Sequence, residues 1–211
     1  MTSARPDGVG EGDRVTEAGR VSDPSEPRRV DLGRFDNADF SPGASRLKWA
    51  AWYAVSALFF ISYLVPCSAP KRVLLRLFGA RVGRGVVIKP NLRIKFPWNL
   101  ELGDHVWLGE NAWIENHVAV RIGSNVCISQ GAFLLTGNHD YKDPTFRLTT
   151  GPITVAEGAW VGARALVTPG RTVGSHAVIA AGAVLTTDAE PYGVYRGNPA
   201  VKIRERQIRG A

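Results

Sequence analysis

Between Val82 and Glu190 a branched aliphatic returns every sixth residue. It falls at Val82, Ile88 and Ile94, at Leu102, Leu108 and Ile114, and at Ile122, Ile128 and Leu134. After a break it resumes at Val155, Val161, Val167, Val173, Ile179 and Leu185. A strict period of six suits neither an amphipathic helix nor an alternating hairpin sheet. It fits a parallel β-helix in which each hexapeptide supplies one short strand and one turn, three hexapeptides closing a triangular coil. Glycine often follows the aliphatic, as at Gly83, Gly103, Gly109, Gly123, Gly162 and Gly174. A small or β-branched residue sits four positions on, for example Val86, Val106, Val118, Ala132 and Ala165.

The phase slips locate features on this frame. Ile94 to Leu102 and Ile114 to Ile122 are steps of eight, so the first coils hold twenty residues with a two-residue bulge at one corner. Leu134 to Val155 is a step of twenty-one, one hexapeptide plus fifteen residues. A loop over residues 136–152 is extruded there, and insertions in a solenoid map to its binding face.

The 211-residue chain allows one substantial domain plus appendages. The sequence divides into a tail (1–45), an apolar and amphipathic helical segment (46–80), the β-helix (81–190) and a closing segment (191–211). The net charge of +7 conceals −3 on the tail and +10 on the rest, and a basic body suits a phosphorylated or anionic partner. Cys67 and Cys127 match no metal or disulfide spacing, and Cys127 reads as a small buried apolar residue. The polar, acidic start of the chain is no signal peptide, which points to a cytoplasmic protein.

Residues 1–45 are rich in Gly, Pro, Ser, Asp and Arg and read as a disordered tail that adds nothing to the fold. The seventeen uncharged residues Trp49–Val65 are different. The first reading is a helical cap on the open end of the solenoid, whose exposed strand edges would otherwise aggregate. The second is peripheral membrane attachment through this helix and its basic neighbours, and the third a short span. Lys71–Gly79 continues as a short amphipathic helix closed by Gly79.

His139 stands at the root of the extruded loop, within TGNHDYKDPTF. An imidazole there can take and return a proton near neutrality, and Asp140 and Asp143 are near enough in sequence to orient it. With this loop, the repeats, the segment PITVAEGAWVGARALVTPGRTVG and the closing RGNPAVKIRER, residues 70–208 resemble the hexapeptide-repeat acyltransferases. The resemblance is to the galactoside/maltose/nodulation O-acetyltransferase branch, and within it to the colanic acid biosynthesis type. It implies a left-handed β-helix, a homotrimer with active sites between subunits, and acetyl-CoA as co-substrate. It matches His139 to the catalytic base, Ala163, Ala181 and Thr186 to positions contacting CoA, Trp160 to an aromatic of the same groove, and Arg204 to a cation near the CoA phosphates. Lys202 is a candidate helper, and backbone amides around Ala163 would face a developing oxyanion. Glu115, in WIENH, stands where better-known sugar acetyltransferases carry asparagine; it is a candidate for binding a sugar hydroxyl or orienting His139 across a subunit boundary.

The leading expectation is therefore acetyl-CoA-dependent O-acetylation of a sugar or of an exopolysaccharide or cell-surface glycan precursor, with no metal. N-acetylation of an amino sugar is an alternative within the same class. A zinc hydratase of the γ-type carbonic anhydrase kind would need three converging imidazoles, for which His105, His117 and His139 are the candidates. A non-catalytic scaffold would have little reason for the extruded loop. Nucleic acid is not an expected partner, since the positive charge lacks interleaved aromatics and no phosphate-cradling loop occurs.

Overall fold

The computed structural model describes residues 29–209. From Arg81 onward the chain winds into a triangular parallel solenoid, each coil laying one short strand on each of three faces. The first face holds Arg81–Val82, Leu100–Leu102, Val120–Ile122, Ile153–Val155 and Thr172–Val173. The second runs from Val87–Ile88 through Trp107–Leu108, Cys127–Ile128, Trp160–Val161 and Val178–Ile179 to Gly193–Arg196. The third holds Arg93–Ile94, Trp113–Glu115, Phe133–Leu135, Leu166–Val167 and Val184–Leu185. Strand pairing stacks the repeat aliphatics, so that Ile88, Leu108, Ile128, Val161 and Ile179 form one ladder. All but Val82, which is half-buried, are buried in the core.

Two corners turn through left-handed residues. Gly85, His105, Asn125, Gly158 and His176 do so between the first and second faces, and Asn91, Asn111, Gly131, Arg164 and Gly182 between the second and third. Gly and Asn adopt this backbone at little cost. Other glycines answer to coil spacing: a Cβ on Gly162 would lie 2.7 Å from the Ala181 amide nitrogen of the next coil. Cys127 departs from expectation. Its neighbour Ile128 points inward, so Cys127 faces out and is half-buried, on the rung between Trp107 and Trp160.

The third corner, between the third and first faces, carries the bulges. The first is a 3₁₀ turn, Pro97–Asn99. The second contains Asn116, fully buried, whose side chain accepts from Phe96 N at 3.0 Å and donates to Phe96 O at 2.6 Å. Bulge is therefore clamped on bulge. Val118, four positions after Ile114, falls on this bulge and is half-buried, whereas Val120 is buried.

Two helices close the open first coil: α1 (Arg46–Val55), extended by a π turn over Ser56–Ile61, and α2 (Ser68–Leu77). Trp52, Phe60 and Leu75 are buried against the coil, and Trp52 Nε1 donates to Ile94 O at 2.9 Å. Side chains of α2 satisfy the backbone of the exposed edge. Ser68 Oγ accepts from Ile88 N at 2.9 Å, Arg72 donates to Val86 O at 2.8 Å, and Arg76 donates to Val82 O at 2.7 Å. An uncovered edge would template intermolecular pairing, and these residues occupy it. Gly79, at φ +101°, ends α2. Among the described residues no helix is long and apolar enough to cross a membrane. The outer side of the cap leaves Leu47, Tyr53, Leu58 and Leu64 exposed.

The disordered-tail expectation needs correcting from residue 29 on; residues 1–28 lie outside the described residues. Asp31 N donates to Pro144 O at 2.8 Å, Phe40 stacks on Phe96, and Trp98 Nε1 donates to Pro42 O. Apolar residues spaced through a polar stretch, Phe35 and Phe40 among them, tie it to the third corner.

Candidate active site

The extruded segment leaves the third corner as an antiparallel pair, Gly137–His139 against Leu148–Thr150, with His139 opposite Leu148. Beyond that rung the loop is folded by its own aspartates. Asp143 Oδ1 accepts from Thr145 N and Thr145 Oγ1, both at 2.8 Å, which holds its carboxyl below the usual carboxylate range. Asp140 Oδ1 accepts from Lys142 N at 2.9 Å. Neither carboxylate bonds the imidazole; each closes a local turn, the usual use of a short acidic side chain in a loop.

The partner of His139 is a carbonyl. His139 Nδ1 lies 2.8 Å from Phe146 O, and the Phe146 ring stacks on the imidazole at 4.5 Å and 12°. A carbonyl only accepts, so Nδ1 carries the hydrogen and Nε2 is left as a basic nitrogen. Phe146 holds this position from a left-handed backbone, φ +56°. Such an outlier persists only where the surroundings over-determine it.

Beneath the hairpin lies a second imidazole. His117, on the second bulge, packs so closely under Gly137 that a Cβ there would meet its Nδ1 at 2.7 Å. Lys95 Nζ is 2.8 Å from His117 Nε2 and 3.1 Å from Glu115 Oε1. Burial, and then the Lys95 ammonium, push the His117 pKa down. A lysine ammonium only donates, so His117 Nε2 accepts from Lys95, while Glu115 is tied to the same lysine and makes no bond to His139 within the chain. His105 sits on a different corner, so the three imidazoles do not converge. No cluster of three metal-ligating side chains occurs among the described residues.

The remaining expected positions divide among three places. Trp160 and Arg204 line one groove of about 630 Å³ on the second face, together with Val178, Arg206 and Arg209. Its cations come from the closing strand Val201–Glu205, which pairs antiparallel with Gly193–Arg196, and from the residues just after it. Arg206 is fixed by donating to Gly158 O at 2.9 Å and to His176 O at 3.1 Å. Lys202 is not a free cation of this groove: Glu190 and Glu205 each hold its ammonium at 2.6 Å and raise its pKa. Ala163 and Ala181 lie on the corner between the second and third faces, where Gly182 N donates to Ala163 O. Thr186 lies on the third corner, in a hollow of about 520 Å³ shared with Asn138, Thr149, Thr168 and Arg171.

Residues 152–187 match the family model described as the hexapeptide repeat of succinyl-transferase. WcaF of Escherichia coli (strain K12), named as a putative colanic acid biosynthesis acetyltransferase, is 36% identical over 83% of this chain and 97% of its own length. The chain belongs to the hexapeptide-repeat acetyltransferases. Galactoside O-acetyltransferase of the same organism is 31% identical over 66% of this chain and 71% of that protein. Among solved structures, a galactoside acetyltransferase in complex with coenzyme A superposes with a TM-score of 0.68 at 27% identity, covering 75% of this chain and 80% of that one. A Vibrio cholerae hexapeptide-repeat acetyltransferase complexed with acetyl-coenzyme A shares the fold, with a TM-score of 0.71 at 22% identity over 79% of this chain and 92% of that one. As a member of this family, the protein is an acyltransferase.

Sequence reasoning missed Phe146, Lys95 and Phe35 as neighbours of the two histidines. Phe146 stands within the loop motif, but nothing in a run of residues tells which carbonyl will meet an imidazole.

Proposed function

We propose that this acyltransferase moves the acetyl group of acetyl-CoA directly onto a hydroxyl of a sugar, or of an exopolysaccharide or cell-surface glycan precursor, with His139 as general base. The observation that carries this reading is the Nδ1–H to Phe146 O bond, which leaves Nε2 as the free basic nitrogen at the root of the loop. The names of the relatives, for colanic acid and galactoside acetylation, support a sugar-related acceptor. The solved neighbours with coenzyme A and acetyl-coenzyme A support the donor. The groove lined by Trp160, Arg204, Arg206 and Arg209 suits it, offering cations to phosphates and an indole face to an adenine or pantetheine arm.

In this reading Nε2 takes the acceptor's hydroxyl proton as the oxygen attacks the thioester carbonyl carbon. The tetrahedral oxyanion then collapses, the C–S bond breaks, and the leaving thiolate takes the proton back from Nε2. Ester and CoA thiol are the products, and no acyl-enzyme forms.

We further infer a homotrimer with active sites between subunits. On one chain His139 and Thr186 occupy the third corner, whereas Ala163 and Ala181 occupy the corner across the third face. A second copy laid against that face would bring the two sets to one cleft.

The test is thiol release from acetyl-CoA in the presence of a panel of neutral and amino sugars, with the acetylated product identified by mass. The reading expects ester formation, and in His139→Ala a fall of about 10²- to 10⁴-fold in kcat. Amide formation on the amino sugars alone would assign N-acetylation, and an undiminished His139→Ala rate would remove His139 as the base.

A further inference from the structure

We propose that Phe35 is a positioning residue for the His139 imidazole, delivered by the stretch of chain that crosses the loop; this rests on His139 being the base. The Phe35 ring meets the imidazole edge-on, at 5.9 Å between centroids and 63° between planes. Phe146 covers the imidazole in a nearly parallel stack. The single bond to Phe146 O pins the Nδ1 side of the ring but leaves a pivot about it, which would swing Nε2 through an arc. The second aromatic contact, from a different direction, removes that freedom.

The chain holds Phe35 in place by bonds on both sides of it. Before it, Asp31 N donates to Pro144 O at 2.8 Å, and Asp31 Oδ1 caps the short turn Leu32–Arg34 by accepting from Gly33 N at 3.0 Å. The Asp143 pKa is lowered chiefly by the Thr145 hydrogen bonds, then by Arg147, with a smaller contribution from Arg34. After it, Phe40 packs on Phe96 and edge-on against His117 at 5.4 Å, and Pro42 O accepts from Trp98 Nε1.

Burial does not account for the placement. Phe35 is 41% exposed and belongs to no core cluster, so an aromatic ring is kept partly in water where it touches the imidazole. Exposure also means that its removal leaves the solenoid core untouched. Orientation is where such a contact acts: a displacement of about 1 Å in a reacting group can cost on the order of 10²-fold in rate.

The experiment compares full-length Phe35→Ala, Phe35→Leu, Phe35→Tyr and His139→Ala in acetyl transfer, with the His139 imidazole resonances followed by NMR in each Phe35 variant. Phe35→Ala is expected to lower kcat by about ten- to a hundredfold while the KM for acetyl-CoA stays within about twofold. The His139 ring resonances should move as the aromatic ring current is lost, Phe35→Tyr should restore rate and resonances, and Phe35→Leu should not. An unchanged kcat in Phe35→Ala beside an inactive His139→Ala overturns the role of Phe35 and leaves the base in place. Full rescue by Phe35→Leu overturns it too, reducing the contact to apolar packing. An active His139→Ala overturns the reading beneath it instead, and the two failures are thereby told apart.

Discussion

Phe146 aims its carbonyl oxygen at His139 Nδ1 from 2.8 Å, and it does so from a left-handed backbone at φ +56°. A bulky residue in that conformation costs roughly 1–2 kcal/mol relative to a right-handed one. The loop accepts this strain and obtains a fixed tautomer and a stacked ring. Phe146→Gly keeps the carbonyl and relieves the backbone, but it removes the stack. We expect kcat to fall by about tenfold through looser orientation. Strain relief should offset the lost contact, so that the melting temperature moves by less than about 4 °C. Steady-state kinetics beside thermal unfolding check both halves. A normal rate would show that the carbonyl alone is sufficient.

Arg204 and Lys202 stand two residues apart on the closing strand, with different fates. Arg204 lines the second-face groove, whereas two carboxylates already hold Lys202 at 2.6 Å. Arg204→Ala should raise the KM for acetyl-CoA by about tenfold with kcat nearly unchanged, the mark of a contact made equally in ground and transition states. Lys202→Ala should shift that KM by less than about twofold, since an exposed ion pair contributes little and its cation is not offered to the donor. Equal effects from the two substitutions would contradict this division of the strand.

The spacing of Val, Ile and Leu is enough to announce the solenoid, because a period of six is imposed by the coil itself and every coil repeats it. The extruded loop is legible for the same reason: an interruption shows only against a regular background. Residues without such a background are not. Asp140 and Asp143 are expected beside the imidazole on closeness in sequence, yet short acidic side chains reach their own loop amides first. Phe35 and Phe40 lie in a polar, glycine-rich stretch with no period to betray them. Their partners are about a hundred and about eighty residues away, a distance over which local pattern carries no information. Val118 keeps the numerical pattern but sits on the two-residue bulge, which moves the inward place on to Val120.

Stability should depend on pH through His117. Burial and the Lys95 ammonium hold its pKa below the ordinary 6.5. Near and below that value the unfolded chain therefore binds a proton that the folded chain refuses. The contribution to stability is whole above about pH 6.5 and is lost as pH falls from there through the folded-state value. The melting temperature is expected to fall between about pH 7.5 and pH 5.5, and His117→Gln should flatten that slope. Asp104 and Asp143, both lowered from 3.8, lose their contributions only at more acidic pH. An identical slope in His117→Gln would place the titrating group elsewhere.

Lys71 poses the opposite problem, a charge that the fold has buried. It is fully buried in α2, its Nζ has no hydrogen-bond partner among the described residues, and burial pushes its pKa down. Its neighbours Arg72 and Ser68 cap the first-coil backbone, but the Lys71 ammonium bonds nothing there. An unsatisfied buried donor costs about 1–3 kcal/mol, more when charged, while its methylene stem packs as apolar surface. Lys71→Met keeps the length of the stem and removes the charge, and should raise the melting temperature by several degrees, at roughly 2–4 °C for each kcal/mol in a domain of this size. Lys71→Ala should lower it, because the cavity it leaves outweighs the relief of charge. Thermal unfolding of the two variants separates the contributions of stem and ammonium. If Lys71→Met proved less stable than the parent chain, the ammonium would have to be engaged in solution by a partner such as water.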